Sequence, residues 1–272
     1  MFKFAALGAL YHKDKPEYFE QCLISLSNQT KKIPIYIVID GPIGLELEAL
    51  IKKYSCLEII YYRLQTNLGL SRVLSYAIEK LNYKFDYIIR FDSDDINHLN
   101  RFEVLINYIE ENKPDLVSSH MNEINESGEL FSKKLIPISQ EQIKRTFPYR
   151  NPINHPASAF SIKAAMKAGG YKEMPFFEDY YLWVRMYKNG YKIMNIDSFL
   201  VDFRAVDSML KRRYGFSYLK HEAYFIWTRN LEGIFNPLEN FISFLVRFFS
   251  KIFGFKFYKM IYFSLRQKSK SS

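Results

Sequence analysis

The chain has 272 residues, 48% of them hydrophobic and 17% aromatic, which is enough to bury the core of one large domain. Its formal net charge of +9 favours an anionic partner such as a nucleotide, a nucleic acid or an acidic lipid. The two cysteines, Cys22 and Cys56, belong to no CxxC or Cys/His cluster, which argues against a zinc site or a redox motif.

The first half of the chain alternates between strand and helix patterns. Strands are predicted over residues 2–10, 33–40, 57–62 and 85–91, and helices over residues 16–29, 44–54, 68–81 and 99–112. This alternation predicts an α/β fold in which a mostly parallel sheet is flanked by helices. Ligands bind beyond the carboxyl ends of the strands in such sheets. The first apolar segment is too short for a signal peptide, and no apolar run reaches the roughly 18 residues of a membrane span.

The second half is less regular. Strand patterns cover residues 115–125 and 128–137, a loop over residues 151–162 runs into a strand, and helix patterns cover residues 161–171 and 176–191. We predict one domain over residues 1–210 and a helical, amphipathic tail over residues 211–272.

The tail combines aromatic residues with five cations, Arg247, Lys251, Lys256, Lys259 and Arg266, which interrupt every apolar run. A basic helix with an aromatic face lies well in the membrane interface, so we predict binding to a membrane surface. A terminal helix that packs on the domain is the alternative. Residues 266–272 are predicted to be disordered.

Three carboxylates, Asp92, Asp94 and Asp95, follow the buried strand at residues 85–91. Their mutual repulsion is relieved by a hard cation, because Mg²⁺ and Mn²⁺ take oxygen ligands from one or two carboxylates and from substrate phosphates. In extended chain Asp92 and Asp94 point to the same side, while Asp95 points elsewhere and is predicted to cap the following helix.

The acidic cluster has two other interpretations. An EF-hand calcium loop is disfavoured because Ile96 and His98 stand where further oxygens and a glycine are needed. A helix-capping turn with surplus charge stays open.

Polar residues at other element ends belong to the same prediction. Asp40 ends the second strand, where its carboxylate can accept hydrogen bonds from a base or a ribose. Asn67 and Arg72 flank a helix start that suits a phosphate. Glu178 and Asp179 open another helix, where consecutive side chains diverge by about 100°, so that one of them is expected to face a ligand.

In this order, the segments "VIDGP", "NLGLSRVLSYAI", "YIIRFDSDDIN", "NHPASAFSIKAAMKAGGY" and "EDYYLWVRMYKNGYKI" resemble glycosyltransferase family 2 with its GT-A fold. The resemblance covers about residues 1–210, and it is closest to bacterial enzymes that build capsular, exopolysaccharide or lipopolysaccharide sugars. It implies a nucleotide-binding half (1–112) and an acceptor half (113–210). It also implies transfer of a sugar from a nucleotide-diphosphate sugar, expected to be a UDP-sugar, to a hydroxyl of a glycan or lipid-linked acceptor, with inversion.

The resemblance also implies roles for single residues. "DSD" looks like the family's DxD motif, so Asp92 is expected on the ribose or base side and Asp94 on the Mn²⁺ or Mg²⁺ that bridges the diphosphate. Asp40 is expected to read the base, with Tyr11 lining or stacking on that pocket. "ED" resembles the base site, where Asp179 is expected to accept the proton and to be kept ionised by the helix start.

Histidine and basic residues leave alternatives open. His155 is either a structural residue or a ligand of the metal or diphosphate. Arg204 and the run Lys211–Arg213 either close over phosphates or form a solvated basic face that continues into the tail. A protein of this kind is expected in the cytoplasm, peripheral on the inner face of the cytoplasmic membrane.

The sequence departs from the family pattern at some positions, and these departures limit the reactions that the resemblance implies. Ile39 stands where many members have a second acidic residue, and the QxxRW signature of processive synthases is absent, which favours transfer of a single sugar. A nucleotidyltransferase of similar fold is the first alternative, although the loop after the first strand lacks glycine. A non-catalytic nucleotide-sugar-binding protein is the second. Nucleic acid is not expected as a partner, because the positive charge gathers in an apolar tail.

Overall fold

A computed structural model describes residues 1–205, 207–252, 254–264 and 266–268. The strands are β1 (Phe4–Leu10), β2 (Ile35–Ile39), β3 (Ile60–Arg63), β4 (Tyr87–Arg90), β5 (Ile96–Asn97), β6 (Leu116–Ile124), β7 (Leu130–Lys134), β8 (Ala159–Ser161), β9 (Ile193–Arg204) and β10 (Gln267–Lys268). The helices are α1 (Pro16–Ser27), α2 (Leu45–Lys53), α3 (Leu70–Leu81), α4 (Arg101–Asn112), α5 (Gln140–Thr146), α6 (Ile162–Lys167), α7 (Glu178–Lys188), α8 (Asp207–Arg212), α9 (Phe216–Leu231), α10 (Pro237–Ile252) and α11 (Phe255–Ser264).

The strands form one sheet in the order β10-β7-β6-β8-β4-β1-β2-β3, and β9 pairs with β6 and β5. The pairs β1·β2, β1·β4 and β2·β3 are parallel, as the alternation of the first half predicts. The mostly parallel character ends at β8, which pairs antiparallel with both β4 and β6. The sheet is therefore mixed, and its parallel part carries the carboxyl edge where a ligand is expected.

Two apolar cores cover the parallel strands, one on each face. In β1, Ala5 and Leu7 face one core, while Ala6 and Leu10 face the other. Helices α3, α6 and α7 cover the first face, and α1, α2 and α4 cover the second. This double cover explains why the sequence of these strands is apolar without alternation.

Gly8 and Phe91 fix the end of β4 against β1. A Cβ atom at Gly8 would lie 2.4 Å from the Phe91 ring, so only glycine leaves room for it. Phe91 is buried and immediately precedes the acidic cluster. The close packing therefore anchors the segment that carries the three aspartates.

The longest strand, β9, lay outside the sequence prediction. It runs parallel to β6 over most of the length of both strands, and its end at Asp202 and Val201 pairs with β5. Polar residues with long-range partners hide its strand pattern; Asn195, for example, donates to the carbonyls of Pro137 and Pro152 at 2.7 and 3.0 Å. The strand ends at Arg204, next to the acidic cluster.

The predicted tail is helical and packs on the domain. Phe225 of α9 stacks on Phe177, just before α7, with ring centroids 5.0 Å apart, and α9 contributes Tyr218 and Ile226 to the same core. The prediction of disorder from residue 266 is wrong at Gln267 and Lys268, which pair antiparallel with β7. The rest of that prediction, residues 269–272, lies outside the described residues.

Candidate active site

The carboxyl ends of β4, β1 and β2 lie side by side because these strands are parallel neighbours. Tyr11 follows β1, Asp40 follows β2, and the aspartates follow β4. Burial raises the pKa of Asp14 with smaller contributions from the charges of Asp94 and Asp92, and Ser93, between those two aspartates, donates to Asp14 Oδ2 at 2.9 Å, so these groups lie together. We call Asp14, Asp92 and Asp94 the acidic edge.

Buried arginines hold the acidic cluster together. Arg90, 1% exposed, donates to Asp92 Oδ1 at 2.5 Å and to the Leu7 carbonyl at 3.0 Å, which ties Asp92 to β1. Arg101 is fully buried and donates to the carbonyls of Arg90 and Pro156. The protein thus supplies part of the positive charge that offsets the aspartates. The sequence interpretation had assigned all of this charge to a metal.

Asp95 does not cap the following helix, contrary to the prediction. Its Oδ1 accepts the backbone N–H of Arg204 at 3.0 Å, and Asn100 stands at the start of α4. Burial raises the pKa of Asp95 well above its ordinary value, with the charges of Asp94 and Asp92 adding to the rise. This carboxyl therefore adds less negative charge than the sequence implies, and it joins the acidic loop to β9.

Arg204 is not a mobile phosphate ligand. It is 2% exposed, and its guanidinium lies 4.0 Å from the centre of the Tyr18 ring. Its Nε donates to the Asp94 carbonyl at 3.1 Å, and its other nitrogens donate to the Asn125 carbonyl at 3.0 Å and to Gln21 Oε1 at 2.7 Å. Arg204 therefore fixes the backbone of the residue predicted to bind the metal.

Asp14 is a member of the site that the sequence analysis missed. It accepts the Tyr11 backbone N–H at 3.0 Å and the Ser93 hydroxyl at 2.9 Å, so it joins the loop after β1 to the DxD segment. Burial raises the pKa of Asp14 to about 7 against the effect of these hydrogen bonds. Burial and the Asp92 charge raise the pKa of Asp94 to about 6. The sequence does contain a signal for Asp14, because its carboxylate lies just past the end of the first predicted strand, at the edge where a ligand is expected.

Asp40 and Asn67 lie together beside the acidic edge. Asp40 is 5% exposed, and its two oxygens accept the backbone N–H groups of Leu68 and Gly69 at 2.6 and 3.0 Å. The Asn67 amide donates to the Asp40 carbonyl at 3.2 Å. Gly41 permits this approach, since it has φ +81° and a Cβ there would lie 2.7 Å from the Asn67 nitrogen. Asp40 shapes the loop before α3, and its role in reading a base stays a prediction.

The side chain of Arg72 contacts a carboxylate, whereas the sequence predicted a phosphate as its partner. Its guanidinium pairs with Glu173 on the loop before α7, and both side chains are more than half exposed. Such a pair contributes little to stability and can be exchanged for another anion. Phosphate binding by Arg72 stays a prediction that requires the pair to open.

Glu178 and Asp179 open α7 and are both half-buried. Burial, followed by the Asp179 charge, raises the pKa of Glu178 to about 7, so the helix start does not keep this carboxyl in its ordinary range. Asp179 Oδ2 accepts the Asn151 amide at 3.0 Å. The charge of Asp92 also contributes to the raised pKa of Glu178, so the acidic edge and this pair are electrostatically linked.

His155 is buried among aromatic side chains. Its Nε2 lies 2.9 Å from the Tyr171 hydroxyl, and its ring lies 6.2 Å from that of Trp183. Burial lowers the pKa of His155 below its ordinary value, so the ring is neutral. These contacts favour the structural alternative, and within the described part of the chain no three His, Cys, Asp or Glu side chains are grouped as a complete metal site.

The basic run before α9 reaches the crevice. Burial raises the pKa of Tyr11 and of Glu178, and the charges of Arg212 and Arg213, respectively, partly oppose these rises. Lys211 and Arg212 are exposed, while Arg213 is half-buried. Arg212 and Arg213 are therefore within electrostatic range of Tyr11 and Glu178, respectively.

The carboxylates of the acidic edge are oxygen ligands of the kind that a divalent cation takes. Asp14 and Asp94 have raised pKa values because burial and the neighbouring negative charges leave their own charge incompletely balanced. A divalent cation would relieve that imbalance, and it prefers this donor type when phosphate oxygens complete its shell. The residues present therefore fit Mn²⁺ or Mg²⁺ carried with a diphosphate.

The family model described as "Glycosyl transferase family 2" matches residues 10–170. The amylovoran biosynthesis glycosyltransferase AmsE of Erwinia amylovora is 35% identical over 223 residues, which is 80% of this chain and 82% of the relative. The UDP-Gal:alpha-D-GlcNAc-diphosphoundecaprenol beta-1,3-galactosyltransferase of Escherichia coli is 34% identical over 220 residues, which is 79% of each chain.

Solved structures show the same fold. S. aureus TarS 1–349 in complex with UDP-GlcNAc superposes with a TM-score of 0.64 at 17% identity, covering 91% of this chain and 73% of that one. The mannosyltransferase PcManGT from Pyrobaculum calidifontis, in complex with GDP-Man and Mn²⁺, gives a TM-score of 0.61 at 11% identity, covering 90% and 68%. In the described ranges, none of the helices has the length and apolar character to cross a membrane.

Proposed function

Because the chain belongs to glycosyl transferase family 2 and is a glycosyltransferase with the GT-A fold, we propose that it transfers one sugar, with inversion, from a nucleotide-diphosphate sugar to an acceptor hydroxyl. The acceptor is a glycan or a lipid-linked sugar in the synthesis of a surface polysaccharide such as capsule, exopolysaccharide or lipopolysaccharide. The relatives support this, since one is named for amylovoran biosynthesis and another for a diphosphoundecaprenol acceptor.

The observation that carries the proposal is the acidic edge itself. Asp92 and Asp94 lie past a buried parallel strand, held by Arg90 and Arg204, with the pKa of Asp94 raised to about 6. Asp94, with Asp92 beside it, would hold Mn²⁺ or Mg²⁺ against the diphosphate. The cation supplies positive charge where the leaving diphosphate develops negative charge. Tyr11, Asp40 and Asn67 surround the end of β2, where the base and ribose of a UDP-sugar would bind.

The proton of the acceptor hydroxyl goes to the carboxylate pair that opens α7. Asp179, oriented by the Asn151 amide, is the proposed base. Glu178 is the second candidate, because its pKa of about 7 matches the operating pH at which a general base is most effective. The half-buried position of both groups limits the water that competes with the acceptor.

The proposal is tested with a panel of UDP-, GDP- and dTDP-sugars in the presence and absence of Mn²⁺. We expect one donor to raise the melting temperature only with the metal and to be hydrolysed slowly to the free sugar and a nucleoside diphosphate. Release of pyrophosphate from a nucleoside triphosphate would show a nucleotidyltransferase instead. Binding without turnover, with every acceptor extract tried, would favour a non-catalytic nucleotide-sugar-binding protein.

The variants Asp179→Asn and Glu178→Gln test which carboxylate of the pair that opens α7 is the general base. We expect the base variant to lose about 10²–10⁴-fold in turnover while its affinity for donor changes little. Full transfer by Asp179→Asn would move the base to Glu178. Because the acceptor is proposed to be lipid-linked, the site of action is the inner face of the cytoplasmic membrane, with the C-terminal helices at the lipid surface.

A further inference from the structure

Helices α9 and α10 form an antiparallel pair whose polar residues lie inside. Asn240 near the start of α10 donates to Asn230 Oδ1 near the end of α9 at 3.2 Å, and Arg247 donates to Glu222 Oε1 at 3.0 Å. Lys251 pairs with the other oxygen of Glu222, and both residues are less than 9% exposed. The interior of this pair is therefore charged and hydrogen-bonded.

The outer faces of the same helices are apolar. They expose between 51% and 65% of each of six large side chains, Trp227 and Leu231 on α9 and Leu238, Phe241, Val246 and Phe249 on α10. The spacing of three to five residues places each set on one side of its helix. We call these six residues the apolar ridge. An amphipathic helix on a protein surface normally has the reverse arrangement.

This arrangement corrects the expectation that the tail's cations face a membrane. Arg247 and Lys251 pair with Glu222, and Arg266 donates to the fully buried Glu123 at 3.0 Å. These cations neutralise buried carboxylates within the protein. Of the five cations of the prediction, Lys256 is exposed.

We propose that the apolar ridge inserts into the interfacial layer of an anionic lipid bilayer. The inference rests on the proposed function, since a lipid-linked acceptor brings the enzyme to a membrane. It adds which residues enter the bilayer, and that burial of apolar surface is the main source of affinity, with charge secondary.

The charges around the ridge favour lipid over a second copy of the chain. Among the side chains that the structure describes between residues 207 and 264, the charged ones that are exposed are all cationic: Lys211, Arg212, Lys220 and Lys256. The carboxylates of Glu232 and Glu239 are half-buried and accept hydrogen bonds from Tyr181 and from the Asn236 backbone. An apolar surface with a cationic surround complements anionic headgroups, whereas two copies would bring like charges together.

The ridge is rigidly joined to the crevice. The stacked rings of Phe225 and Phe177 link α9 to the residue that precedes Glu178. Arg213, close to Glu178 and Asp179, lies three residues before α9. A bilayer held at the ridge would therefore sit at a fixed distance from the proposed base.

The two tryptophans make a direct test possible. Trp183 is fully buried in the domain core, while Trp227 on the ridge is 59% exposed. With the full chain and vesicles of phosphatidylglycerol and phosphatidylethanolamine, we expect the emission to shift to the blue and brominated lipids to quench it. Trp227→Phe, which leaves Trp183 alone, should show neither change. An unaltered wild-type spectrum with the same vesicles would overturn the proposal.

Vesicle flotation measures the affinity. The variant F241S/V246S/F249S should bind at least about tenfold more weakly, because three apolar side chains are removed from the bilayer. The matched control L45S/Y83S removes two residues that are 89% and 93% exposed elsewhere, and it should float like the wild type. Wild-type flotation should persist at about 0.5 M NaCl, where charge attraction is screened. Binding that vanishes in salt, or an unaffected ridge variant, would contradict insertion.

Light scattering and donor hydrolysis separate the remaining outcomes. A wild-type dimer that the ridge variant splits, with no flotation of either, would make the ridge an interface between copies and overturn the proposal. The ridge variant should hydrolyse soluble donor like the wild type, because the crevice is untouched. Loss of flotation with donor hydrolysis intact supports the ridge as the lipid-binding surface. Absence of any donor turnover in the wild type would refute the proposed function, independently of the flotation result.

Discussion

The acidic edge and the α9–α10 pair both contain buried charges, but they use them in opposite ways. At the acidic edge, Arg90 donates from inside to the Asp92 carboxylate and Arg204 donates to the backbone carbonyl of Asp94, so both arginines fix the loop that carries the aspartates. In the helix pair, Arg247 and Lys251 turn inward to Glu222, and the apolar residues are left outside. A charge in the sequence therefore does not say which way it points, since the position of its counter-ion in the fold decides that.

The largest effect is expected where the charge pairing is deepest. Glu222→Gln leaves the buried Lys251 and the half-buried Arg247 without their carboxylate, and we expect the free energy of unfolding to fall by about 3–5 kcal/mol. Urea denaturation gives this value. The control Glu141→Gln removes a partner of Arg145 in a pair that is more than 70% exposed, where the loss should be below about 1 kcal/mol. Equal losses in both variants would remove the distinction between the two regions.

At the acidic edge, replacing a supporting arginine should lower catalysis more than it lowers the free energy of unfolding. Arg204→Lys keeps the charge but cannot make all the hydrogen bonds to the Asp94 carbonyl, Asn125 and Gln21. We expect kcat/KM to fall about 10–100-fold, as for residues that orient a metal ligand, with a raised Mn²⁺ requirement. Arg145→Lys on the surface is the control. An unchanged Mn²⁺ dependence would mean that Arg204 acts only in folding.

The effect of pH should be smaller and opposite to that of ordinary acid unfolding. The pKa values of Asp14 and Glu178 rise to about 7 and that of Asp94 to about 6, from ordinary values near 4. The folded state therefore binds more protons than the unfolded state between about pH 4 and pH 7, and these groups make stability fall as pH rises through that window.

Scanning calorimetry of the metal-free protein between about pH 4.5 and pH 7.5 measures this loss. Asp14→Asn should flatten the profile, whereas Glu79→Gln at an exposed position should not. Mn²⁺ with UDP should restore stability at pH 7.5. A profile that rises steadily with pH in both the wild type and Asp14→Asn would show that these carboxyls are not strained in the folded protein.

Local sequence patterns predicted the elements whose partners are generic. The apolar residues of α3 recur at helical spacing, and the helix at Leu70–Leu81 agrees with the prediction of residues 68–81. The continuous apolar run of β2 likewise predicted a strand covered on both faces. These elements need only an apolar surface to pack on, which the rest of an α/β fold supplies whatever its details.

Features that depend on one distant partner could not be predicted in this way. Strand β9 contains Asp202, which accepts hydrogen bonds from the Asn122 amide at 2.7 Å and lies 2.6 Å from His98 Nε2. Asp14 enters the site through Ser93, 79 positions away, and Arg247 turns inward because Glu222 lies on a different helix. No local period encodes such pairs, so the sequence predicted candidate residues at the strand ends but not the residues that support them.

The central claim is that the acidic edge binds a dication together with a nucleotide's diphosphate. Titration calorimetry of UDP, or of whichever nucleoside diphosphate the donor panel identifies, measures this with and without Mn²⁺. We expect Mn²⁺ to raise the affinity of the wild type at least about tenfold, and Asp94→Asn to lose that increase while its metal-free affinity stays the same. An equal gain from Mn²⁺ in Asp94→Asn and in the wild type would contradict the account.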